Sequence, residues 1–211
     1  MTPIRERLRD ATRPEHDRLE AGLGLMDASL TRAAYRDILA RFYGFRAGWE
    51  PRAGALLEDE AFFGPRRRLP LLHADLLALG LTEGAIATLP ACPPPALEDA
   101  AAALGSLYVM EGSTLGGRVI ARHLAARLGI GAGDGVAYFT GAGADTGRLW
   151  AGFLSRLEAA PERDVPAILD GARATFVRLE AWLLGERPRP GPQPRGGAAD
   201  ISSGPITVPT P

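Results

Sequence analysis

The chain has 211 residues, a formal net charge of −1 and a hydrophobic fraction of 46%. That is enough apolar material for one domain with a sizeable core, and the near-neutral balance argues against nucleic acid or an anionic membrane as a general partner. The single cysteine, Cys92, excludes an intrachain disulfide, a thiolate metal cluster and CxxC chemistry.

All 24 basic residues are arginine, a compositional bias that still supplies planar forks suited to carboxylates. No apolar leader follows Met1, and no apolar run approaches the roughly 18–20 residues of a membrane span, so the expected location is the cytoplasm.

Strand signals are sparse, and apolar residues recur at spacings of three and four, which predicts an all-α fold of seven to eight helices. The first predicted helix covers residues 2–22, with Thr2 as N-cap and Pro3 in the first helical position. Inside it, Pro14 removes a backbone hydrogen bond and favours a kink. The second covers 31–57, with Gly44, Gly48 and Pro51 placed to bend it, and the third 66–79, stopped by Gly80. Residues 91–95, Ala-Cys-Pro-Pro-Pro, read as a connector. Helices are predicted next over 96–111 and 114–128, then a loop over 131–143 broken by an apolar patch at 136–139. Two more helices, 145–159 and 165–184, complete a domain of residues 1–185. Residues 186–211 are rich in proline and glycine, with Pro188, Pro190, Pro192 and Pro194 alternating. Such a segment cannot continue a helix and has little to bury, so it reads as a flexible tail, with a docking or self-covering arm as the alternative.

On the first helix Ile4, Leu8, Ala11 and Leu19 form the core stripe, while Arg9, Arg13, His16 and Glu20 form a second stripe at spacings of four, three and four. A neutral imidazole can ligate iron, and a carboxylate one turn on can accept its other ring N–H and fix the tautomer. The two guanidiniums offer partners for ligand carboxylates, and haem presents that set: a central iron and two propionates at one edge. A solvated helix face has the same composition, so the stripe alone leaves both readings open.

The segment 107–120, Leu-Tyr-Val-Met-Glu-Gly-Ser-Thr-Leu-Gly-Gly-Arg-Val-Ile, narrows the choice. Gly112, Gly116 and Gly117 lie between helical flanks, and each costs about 1 kcal/mol relative to alanine in a helix interior. Glycine lets a helix bend and lets backbone approach a flat ligand where a Cβ would clash. A turn between two helices is the competing reading. A phosphate loop is not, since neither a P-loop lysine nor a GxGxxG fingerprint is present.

Taken together, Leu8 to His16 resembles the proximal-helix motif of the haem oxygenase family, and Leu107 to Ile120 its distal helix in the Glu-Gly-Ser-x-Leu-Gly-Gly form of bacterial members. The resemblance extends from Ile4 to Leu184. It implies a single-domain haem oxygenase-like helical bundle that binds haem b as both cofactor and substrate. It also implies His16 as the iron ligand, Glu20 as its hydrogen-bonding partner, and Arg9 and Arg13 as propionate-binding residues. Gly112, Gly116 and Gly117 are the distal glycines. Where mammalian-type members carry an aspartate after the first distal glycine, this chain has Ser113, which leaves Glu111, Ser113 and held water as candidates for proton delivery.

The implied reaction is O2-dependent opening of the haem ring to biliverdin, carbon monoxide and ferrous iron, with electrons from a ferredoxin or flavoprotein reductase. A bilin-accepting phytochrome is a possible recipient of the product. A neutral histidine ligand, unlike a thiolate, gives little push towards O–O heterolysis. Arg148 is a candidate propionate partner or a surface residue. His73 and His123 read as surface or satisfied histidines, and Tyr43, Phe45, Tyr108 and Phe176 as core or pocket lining. A non-catalytic haem carrier or sensor on the same scaffold is the alternative, favoured by Ser113 and the tail. A di-iron carboxylate oxidase fits poorly, because the three histidines lack the ExxH spacing.

Overall fold

The computed structural model describes residues 2–130 and 134–185, and every regular element among them is helical. The long helices are α1 (Ile4–Leu23), α2 (Arg32–Leu57), α4 (Leu69–Ala78), α6 (Ala100–Leu128), α8 (Thr146–Glu158) and α9 (Val165–Leu184). Three helices of only four or five residues stand between them: α3 (Glu60–Phe63), α5 (Glu83–Ala87) and α7 (Ala137–Thr140). The expected all-α architecture is therefore present. The proposed tail, 186–211, lies outside the described residues.

Local signals set most boundaries. Thr31 caps α2 by accepting the Ala34 N–H at 3.1 Å, and Asp99 caps α6 by accepting the Ala102 N–H at 2.8 Å. Gly24 and Gly129 end α1 and α6 with φ of 57° and 62°, left-handed values that cost glycine nothing. The start of α1 differs by one position from the sequence reading. Pro3, not Thr2, is the cap, because its ψ of 142° is extended and the first helical residue is Ile4. The start of α4 is at Leu69 rather than Arg66, because buried Glu50 accepts the N–H groups of Arg68 at 2.7 Å and Leu69 at 3.2 Å and so caps that end from α2.

One expectation fails. No break separates residues 111 and 114: α6 is one helix of 29 residues that runs through Gly112, Gly116 and Gly117. Ser113 and Thr114 return their hydroxyls to the carbonyls of Met110 and Glu111, at 2.9 and 2.6 Å, and the backbone stays helical. The helix α2 likewise continues through Gly44, Gly48 and Pro51. Its glycines are needed for contact. A Cβ on Gly44 would strike the carbonyl of Pro90, and one on Gly48 that of Cys92, so the proline connector lies directly on the helix. The Cys92 N–H donates to the Gly44 carbonyl at 2.9 Å.

At the centre α6 packs against α9, α2, α7 and α8, while α1 lies on α9 and touches α8. Trp49, Ser106 and Thr175 tie three helices together in the core. The Trp49 indole N–H donates to Ser106 Oγ at 2.7 Å, and the Thr175 hydroxyl meets the same atom at 2.6 Å. A buried indole N–H and two buried hydroxyls thereby satisfy one another. Among the described residues, no helix is long and apolar enough to cross a membrane.

Candidate functional site

Thr175 and Phe176, adjacent on α9, touch α6 and α1, the two helices that carry the segments singled out in the sequence. Thr175 meets Ser106 of α6, and the Phe176 ring meets the His16 ring edge-on, with centroids 6.2 Å apart. Both helices thus pack on α9.

His16 projects from α1 with 58% of its side chain exposed. Its Nδ1 lies 3.4 Å from Asp17 Oδ1 and 3.8 Å from Glu20 Oε2, so this is the ring nitrogen turned towards carboxylates. Nε2 is left as the nitrogen for a ligand. Glu20 stands where the sequence stripe put it, and Asp17 is an additional carboxylate that the four-three-four spacing did not single out. Arg9 and Arg13 are exposed on the same helix, Arg9 3.2 Å from Asp10 and Arg13 3.9 Å from Asp17. Arg148, near the start of α8, is exposed and lies 3.1 Å from Asp145.

The structure separates the three α6 glycines into two groups. A Cβ added to Gly112 or Gly116 meets nothing within 4 Å, whereas one added to Gly117 would collide with the Phe139 carbonyl of α7. Gly112 and Gly116, one turn apart, therefore present bare backbone at the front of the helix, and Gly117 serves close packing behind it. Leu115 and Val119 are 50% and 60% exposed beside the bare stretch. An apolar strip of this kind fits a flat apolar ligand. One turn before Gly112, Tyr108 points the same way. Burial raises its phenol pKa, with smaller contributions from the charges of Arg5, Arg9 and Asp10 on α1.

Behind the glycine stretch lies a charged group that sequence reasoning did not assemble. Arg46, Glu50, Arg66, Arg68 and Glu111 are each buried. Arg66 Nε is 3.6 Å from Glu111 Oε2, and Arg46 is 3.6 Å from Glu50. Burial pushes the Glu111 carboxyl up, against the opposing pull of Arg66, Arg68 and Arg46. The signal visible in the sequence is the Arg66-Arg67-Arg68 run at the start of the predicted 66–79 helix.

The remaining candidates lie elsewhere. His73 pairs with Glu83 at 2.9 Å, and Phe45 is buried in the core. His123 sits further along α6, with its Nε2 buried and without a hydrogen-bond partner among the described residues. A groove of about 590 Å³, lined by residues including Leu23, Leu30, Ile38 and Leu184, lies where the ends of α1 and α9 meet the start of α2. It contains none of the expected site residues, and the chemistry argues for the α1–α6 face instead.

The "Heme oxygenase" family model matches residues 2–184, nearly the whole described chain. The chain belongs to the haem oxygenase family. A "Heme oxygenase" of Xanthomonas campestris pv. campestris (strain 8004) is 37% identical to this family member over 170 residues, which cover 78% of this chain and 95% of the relative. The fold resembles that of a haem oxygenase from Leptospira interrogans, with a TM-score of 0.71, 16% identity and coverage of 87% of this chain and 99% of the other. It also resembles the crystal structure, without haem, of haem oxygenase 2 from Chlamydomonas reinhardtii, with a TM-score of 0.65, 21% identity and coverage of 86% and 96%.

Proposed function

We propose that this protein is a haem oxygenase that binds haem b between α1 and α6 and opens its ring with O2 and electrons from an external donor. The products are biliverdin, carbon monoxide and ferrous iron. The observation that carries the reading is the bare backbone at Gly112 and Gly116 on α6 together with the outward-facing His16 on α1, two helices that both pack on α9.

The residues present fit the group. His16 Nε2 is the iron ligand, with Glu20 and Asp17 beside Nδ1 to hold the ring orientation and keep that nitrogen protonated. Arg9, Arg13 and Arg148 hold the propionates through charge-assisted hydrogen bonds. Haem, when bound, supplies the iron that activates O2 and is itself the ring that is opened. Gly112 and Gly116 would let the α6 backbone approach the ring closely, and Leu115 and Val119 would exclude water beside it. The Ser113 hydroxyl is turned to the Met110 carbonyl and Glu111 is buried against Arg66, which favours water held by the backbone for proton supply.

Residues 1–185 form the catalytic domain, the location is the cytoplasm, and a ferredoxin or flavoprotein reductase is the donor. The biliverdin serves a phytochrome or is the by-product of iron release. Reconstituting the purified protein with haem and adding ascorbate or a ferredoxin system under air tests the reading. Loss of the Soret band with rising bilin absorption is expected. A Soret band that persists with no bilin would make the protein a haem carrier instead.

A further inference from the structure

The helix α7 has four residues, Val136 before it offers no side-chain cap, and its first N–H groups need acceptors. Asp75, fully buried on α4, provides them: Oδ1 accepts the Ala137 N–H at 2.8 Å and Oδ2 the Tyr138 N–H at 2.7 Å. A buried carboxylate is expensive unless it is fully engaged, so its use here indicates that α7 must be held firmly. The hydroxyl of buried Tyr35 adds a bond to the Gly135 carbonyl at 2.6 Å, and the Tyr138 ring packs on Phe42 with centroids 5.3 Å apart. At the other end of α7 the Phe139 carbonyl abuts Gly117, where a Cβ could not fit.

Among the described residues, nothing lies within 4 Å of where a Cβ on Gly112 or Gly116 would stand, so the position of this face is set from behind. There the Phe139 carbonyl of α7 lies directly against Gly117. We propose that Asp75 is a positioning residue for ring opening, acting through α7 and Gly117 to fix how far the bare glycine face stands from α1. This rests on the haem oxygenase reading. If that distance decides which edge of the ring meets bound oxygen, Asp75 influences which bilin isomer forms, although it lies outside the ligand-facing surface.

Asp75→Asn, which puts an amide against one of the two N–H groups, and Gly117→Ala, which presses α7 from its other end, test the link. The first measurement is amide hydrogen exchange on the haem-free protein. Exchange should become about tenfold faster at residues 137–140 and also at 112–117, while α1 and α9 keep their protection. The second is the ratio of biliverdin isomers from the haem-loaded variants, which a mere loss of stability would not move. A changed ratio, with kcat altered more than haem affinity, is expected. Faster exchange confined to 137–140, or an unchanged ratio in both variants, would overturn the proposal. If Asp75→Asn does not fold, Gly117→Ala carries both measurements. Should the parent protein show no turnover, the haem oxygenase reading fails, while the exchange experiment still decides whether Asp75 controls the glycine stretch.

Discussion

Gly105 of α6 and Gly171 of α9 let the two central helices meet backbone to backbone. A Cβ on Gly105 would run into the carbonyl of Ile168, and one on Gly171 into that of Ala102. Neither obstacle is a side chain that can swing away. Alanine at either position is therefore expected to destabilise the fold by about 1–3 kcal/mol, despite its better helix propensity. Denaturant unfolding monitored by circular dichroism checks this, and a midpoint equal to that of the parent would contradict it.

Gly116 gives the opposite expectation on the same helix. A Cβ there meets open space, so Gly116→Leu should leave the fold intact or gain up to about 1 kcal/mol from helix propensity. The same side chain would stand in the proposed ligand face and block haem. The measurements are thermal unfolding and haem titration, and the expected pattern is retained stability with lost binding. Normal haem affinity in this variant would place the ligand elsewhere.

His16→Ala removes a side chain that is 58% exposed, so stability should change by less than about 0.5 kcal/mol. Its spectrum with haem should lose the imidazole-ligated form, and turnover should fall to background. Imidazole added to the solution should restore the parent-like spectrum by filling the vacated position. A parent-like spectrum without added imidazole would move the ligand to His73 or His123.

Asp59 supplies a pH-dependent test away from the site. Its carboxyl is held below the ordinary value of 3.8, first by the Phe62 N–H at the start of α3 and then by Arg156 at 2.7 Å. A lowered folded-state value means the ionised form is the one favoured by folding. Its contribution is therefore complete above the ordinary value and is lost as pH falls through the lowered one. Asp59→Asn should be less stable than the parent at pH 7, and the difference should shrink and vanish as pH falls below the ordinary carboxylate range and through the lowered value. A difference that stays constant across this range would rule out the carboxylate as its source.

Much of this molecule is written locally in the chain. Thr31, Asp99, Gly24 and Gly129 mark helix ends because a cap or a left-handed residue acts within a few positions of itself. The His16–Glu20 pairing was legible for the same reason, since residues one turn apart on a helix are neighbours whatever the fold. Nothing local could divide the α6 glycines, because Gly116 and Gly117 are adjacent and chemically identical. Only the approach of α7 from behind makes one a packing contact and leaves the other bare. The Arg66–Glu111 pair and the hold of Asp75 on α7 likewise join residues far apart in the chain. Periodicity and capping thus marked the long helical segments, though not the short α3, α5 and α7 or the continuity of α6, while the tertiary packing alone decided which face of each meets a ligand and which meets another helix.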